Sequence, residues 1–73
     1  MNVGMAVRRI AESKGMRAAD ICNATGIADS YMSMLMRGQI KDPKLGRIYA
    51  IANALGVTVD EIVRVAEEYE DPA

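Results

Sequence analysis

Glycines at positions 15, 26, 38 and 56 interrupt a chain whose apolar residues otherwise recur at helical spacing, and this limits what the chain can become. No segment shows the sustained alternation of a half-buried strand, so the sequence predicts an all-α domain, a compact bundle of five short helices. The first is expected over Val3 to Lys14, burying Val3, Val7 and Ile10 with Ala6 and Ala11 beside them, and stopping at Gly15. The second covers Ala18 to Ala24 with Ile21 and Cys22 inward, and the third covers Asp29 to Arg37, closed by Gly38. For the fourth, Asp42 is the expected cap and Pro43 the first helical residue, with Leu45, Ile48, Ala52 and Leu55 forming one apolar stripe up to Gly56. The fifth opens with "TVDE", a capping-box pattern pairing Thr58 with Glu61, followed by Val59, Ile62, Val63, Ala66 and Tyr69. Residues 1–69 read as one domain and residues 70–73 as an acidic, frayed end.

A chain of 73 residues supports one small core, and a single cysteine, Cys22, excludes an internal disulfide. With no histidine and no second thiol there is no zinc-site pattern, so neither a metal nor another cofactor is expected. No Gly-rich phosphate loop is present, and Cys22 has no base near it in sequence, which argues against an enzyme. The N-terminus lacks the apolar run of a signal peptide. The longest charge-free stretch, Ile48 to Val59, is too short to span a bilayer, so a cytoplasmic protein is expected.

The net charge of −1 hides a strong segregation. Up to Val59 eight basic residues face four acidic ones, whereas from Asp60 onward six acidic residues face Arg64 alone. The body is basic and the end acidic. Such a division suits a binding face for a polyanion, although an ordinary solvated surface accounts for it too.

The second and third helices, joined across Gly26, have the dimensions of a helix-turn-helix, whose second helix normally enters the DNA major groove. Further pieces in the same order are Gly15-Met16, Gly26-Ile27, Ser30-Tyr31-Met32-Ser33, Arg37-Gly38, Pro43 with Leu45, and "IANALGVTVDEI". Together these resemble the Cro/cI-type, or XRE, helix-turn-helix regulators over about four-fifths of the chain. The resemblance implies a lambda-repressor-like fold of five helices and a prokaryotic or phage transcriptional regulator. Four positions depart from the family pattern. Arg17 and Ala18 stand where a Thr or Ser and a Gln are common, Ala28 where a Ser or Thr caps the third helix, and Met36 where an acid is common. The turn "GQIKDP" is also one residue longer.

Advancing about 100° per residue along the third helix separates its sides. Tyr31, Met32 and Leu35 share the side of Ala28, which is the expected core side, while Ser30, Ser33, Met34 and Arg37 fall opposite. In a major groove the serines can donate or accept, Arg37 can reach a guanine or a phosphate, and Met34 can pack on a thymine methyl. Asp29, on the flank, can accept from a cytosine amino group; it equally suits a helix N-terminus, where the macrodipole favours an acid. Arg17, Lys41, Lys44 and Arg47 are expected at phosphates, the places the resemblance implies.

Tight binding by so small a unit calls for a homodimer on an inverted repeat, and the fifth helix is the expected interface through Ile62, Val63, Val65, Ala66 and Tyr69. The alternative is that these residues close the protomer's own core. A repressor of transcription acting on double-stranded DNA is the expected function. The competing one is a protein-binding adaptor or anti-activator that keeps the scaffold and uses the adaptable side chains of Met34 and Met36.

Overall fold

The computed structural model describes residues 1–69, and the expected frayed end at 70–73 lies outside the described residues. Helix α1 (Val3–Ser13) starts at Asn2, whose extended backbone turns its side chain to accept from the Met5 amide at 3.0 Å. That N-cap satisfies one of the amides left free at a helix start. Then follow α2 (Ala18–Thr25), α3 (Asp29–Met36), α4 (Leu45–Leu55) and α5 (Val59–Ala66), with no strand among the described residues.

The core is built from Val3, Ala6, Val7, Ile10, Ala11, Ile21, Cys22, Met32, Leu35, Ile51, Ala52, Leu55, Ile62 and Ala66. Every helix contributes to it. Helix α1 is the hub, packing on α5 and α3, while α2 bridges α3 and α4. Its approach to α3 is close enough that a Cβ at Gly4 would overlap the Leu35 carbonyl. Only a residue without a side chain fits there.

Two features differ from the sequence-based expectation. Helix α4 does not start at Pro43: its cap residue is Lys44, which supplies no side-chain hydrogen bond, and the first helical residue is Leu45. Pro43 is instead buried. A proline disfavours helical backbone at the residue before it, which argues against a cap-and-start at Asp42 and Pro43. In consequence Leu45 lies beyond the end of the core and is 70% exposed, whereas Ile51, absent from the expected stripe, is fully buried.

The second difference concerns α5. Thr58 does accept from the Glu61 amide at 3.1 Å, so the cap stands where expected. Ile62 and Ala66, however, are wholly buried in the protomer's own core. Neither can present surface to a second copy. Of the expected interface residues, Val63, Val65 and Tyr69 remain half-exposed.

Candidate nucleic-acid interface

The turn between α2 and α3 is short because several local bonds tighten it. Thr25 donates its hydroxyl to the Ile21 carbonyl at 2.8 Å and accepts from the Ile27 amide at 3.2 Å, while Gly26 takes the left-handed conformation at φ 78°. This turns the chain directly into α3. Its cap residue is Ala28, which can offer no side-chain acceptor.

Helix α3 divides by side as helical geometry requires. Met32 and Leu35 are fully buried and Tyr31 and Met36 half-buried, while Asp29, Ser30, Ser33, Met34 and Arg37 are exposed. The Arg37 guanidinium Nε donates to the Ser33 carbonyl at 3.3 Å, which lays the side chain back along its own helix. Met34, at 43% exposure, is the large apolar side chain that α3 leaves in solvent.

Asp29 occupies the first turn of α3, where the partial positive charge of the helix start favours a carboxylate. It also acts on the neighbouring helix. Burial pushes the Cys22 thiol above its usual pKa, and hydrogen bonding and charge from Asp29 push it the same way.

Around this helix the bases take distinct positions. Arg17 precedes α2, where its backbone amide donates to the Asp20 carboxylate at 2.8 Å. Lys41 and Lys44 are exposed on the connection into α4. Arg47, in the first turn of α4, stacks its guanidinium over the Tyr31 ring with 4.1 Å to the centroid. This cation–π contact ties α4 to α3 and holds a positive charge beside the exposed face. Sequence reasoning assigned Tyr31 to the core side and did not anticipate the stack, since nothing local pairs residues sixteen apart.

The two methionines of the competing expectation do not line one surface. Met36 lines an open cleft of about 490 Å³ together with Ala11, Met16 and Ala18 and the polar Arg8, Glu12, Arg17, Ser33 and Arg37; Met34 is not part of it. Among the described residues there is no cluster of side chains able to hold a metal ion, and no helix is long and apolar enough to cross a membrane.

Comparison with known proteins agrees with this geometry. Residues 6–68 match the model of the Cro/C1-type HTH DNA-binding domain. The HTH-type transcriptional regulator DdrOP3 of Deinococcus deserti is 32% identical over 65 residues, covering 89% of this chain and 50% of that protein, so the chain spans half the length of that relative. An HTH-type transcriptional regulator of Sinorhizobium fredii, y4dJ, is 32% identical over 66 residues, covering 90% of this chain and 84% of that protein. In fold the chain is similar to the clp gene regulator ClgR from C. glutamicum, with a TM-score of 0.86 at 24% identity over 99% of this chain and 92% of that one. With α2 and α3 in the required arrangement and 63 consecutive residues matched, the chain belongs to the Cro/C1-type helix-turn-helix family of DNA-binding transcriptional regulators.

Proposed function

We propose that this protein is a sequence-specific repressor that binds an inverted-repeat operator as a homodimer, with α3 in the major groove. The observation that carries the reading is the outward side of α3, where Ser30, Ser33, Met34 and Arg37 stand exposed opposite the buried Met32 and Leu35. These four side chains and Asp29 at the helix start read base edges, with Met34 against a thymine methyl. Arg17, Lys41, Lys44 and Arg47 meet phosphates and set the register. Arg47 does so from its stack on Tyr31, so its position is coupled to the reading helix. Few direct readers imply that DNA shape supplies part of the preference.

The competing reading, a scaffold used to bind protein, draws its support from the cleft that holds Met36, where Ala11, Met16 and Ala18 offer apolar surface beside Arg17 and Arg37 and the Arg8–Glu12 ion pair. One experiment separates the two. Fluorescence anisotropy is measured against random-sequence duplexes between about 50 and 200 mM salt, and the retained fraction is sequenced. A steep fall of binding with salt together with an enriched inverted repeat supports the repressor reading. A folded protein that binds no duplex at the lowest salt overturns it.

A further inference from the structure

The arginines of the chain do not all find partners within it. Arg8, Arg9 and Arg64 form ion pairs with Glu12, Glu68 and Asp60, and Arg47 stacks on Tyr31. Among the described residues no carboxylate or ring pairs with the two that remain, Arg17 and Arg37. Both line the cleft that holds Met36. The bond from Arg37 Nε to the Ser33 carbonyl leaves the terminal nitrogens of that guanidinium free to donate.

Uncompensated guanidinium groups favour an anion, and a carboxylate matches their fork with parallel hydrogen bonds. Arg8 and Glu12, which line the same cleft, neutralise each other and leave the excess positive charge in place. Phosphates on DNA account for the arginines but not for what lies beside them. Met16, Ala18 and Met36 are half-buried and give the cleft apolar surface, and methionine side chains adapt to the shape of an apolar guest. Size then chooses the occupant. A volume of about 490 Å³ lies within the range of roughly 300 to 1,000 Å³ common for small-molecule sites. A stable protein partner would need about 20 to 30 residues a side, whereas nine line this cleft.

We propose that the cleft is a binding site for a small amphipathic anion, an apolar body carrying one carboxylate, which engages Arg17 and Arg37 and so withdraws them from DNA. Bound ligand and operator then exclude each other, and the ligand acts as an inducer. That last step rests on the DNA-binding reading above; the site itself does not.

The site is tested first, without DNA. The isotopically labelled full chain is titrated with octanoate, with octanol and with inorganic phosphate, and amide shifts are followed by NMR. Octanoate should give saturable shifts centred on Met16, Ala18, Met36 and Arg37, with an affinity about tenfold or more above either control, since octanol lacks the charge and phosphate the apolar body. Ala18→Leu fills the cleft and Arg17→Gln removes one of its free charges, so each should weaken octanoate binding about tenfold. Ala19→Leu, at the exposed neighbour outside the cleft, should bind as wild type. Circular dichroism checks the fold of each variant. Octanoate shifts that do not saturate overturn the proposal and return the cleft to the protein-binding reading. Shifts centred elsewhere, or equal affinity for octanol or phosphate, also overturn it, as do folded Ala18→Leu and Arg17→Gln proteins that both bind octanoate as wild type does.

The second arm adds octanoate, at about ten times its dissociation constant, to the anisotropy assay, where the apparent dissociation constant for a duplex should rise about tenfold. An unchanged value overturns the exclusion of DNA. Protein that binds no duplex even without octanoate overturns the repressor reading alone.

Discussion

Asn2 donates its side-chain amide to the carbonyl of Gly38, 3.3 Å away and 36 residues along the chain. The same side chain caps α1 through Met5, and the Asn2 backbone amide donates to Ala66 at 3.1 Å. One residue therefore joins the start of α1, the exit of α3 and the end of α5. Asn2→Ala is expected to lower unfolding free energy by about 1 to 2 kcal/mol in urea denaturation, the usual range for a lost N-cap. Asn2→Asp keeps the cap acceptor and loses the donor to Gly38, so it should fall between the two. Equal stability of Asn2→Ala and wild type would show that the junction is not stabilising.

The contact between α1 and α3 at Gly4 makes a sharper prediction. Gly4→Ala raises helix propensity, yet its methyl would overlap the Leu35 carbonyl. Overpacking should win, with a loss of about 1 to 3 kcal/mol and a displaced α3. Thermal unfolding reads the first effect. Reduced DNA affinity in the folded population reads the second.

Phosphate and base contacts separate by their salt behaviour. Arg37→Ala and Lys44→Ala should each weaken binding to all duplexes; the Lys44 change should lower the salt slope by about one, and the Arg37 change, at a base reader, should also alter site preference. Ser33→Ala and Met34→Ala should leave the slope alone and alter discrimination between sites by about 1 kcal/mol. Unchanged affinity in all four variants would remove α3 as the contact surface.

If Arg47 is held in place by its stack, the ring matters and the hydroxyl does not. Tyr31→Phe should preserve DNA affinity, whereas Tyr31→Leu should reduce it to the level of Arg47→Ala. A double variant of Tyr31→Leu with Arg47→Ala should then be no worse than either alone, by the logic of a double-mutant cycle.

The Cys22 thiol gives a prediction in pH. Its pKa is raised in the folded state, so the neutral form is favoured there. The associated stability is intact below the ordinary thiol range and is lost as pH rises through and above it. Asp29→Asn removes the lesser causes and leaves burial, so the thiolate, followed by its ultraviolet absorbance, should appear at a somewhat lower pH than in wild type. An unchanged absorbance titration would show that Asp29 does not act on the thiol.

Much of this fold was legible because helices announce themselves locally. The apolar spacing in α1 names its buried residues, Gly26 marks the turn, and Thr58 begins α5. What escaped is what depends on distant partners. Asn2, Gly4 and the pairing of Tyr31 with Arg47 acquire their roles only when α3, α4 and α5 arrive beside them. The start of α4 was misplaced because Asp42 and Pro43 satisfy local rules that the burial of the proline overrides. For the candidate site, periodicity separated the sides of α3. It could not reveal that Arg37 lies back against Ser33.

That α1 packs more extensively on α5 than any other pair of helices do has a bearing on how the protein is made. Of the five helices described, the first to be made thus has its principal neighbour in the fifth. Val3, Val7 and Ile10 must wait, uncovered, for Ile62 and Ala66 to emerge. The domain therefore closes only once α5 has been made, and a chain stalled before Ala66 would lack the surface that covers α1.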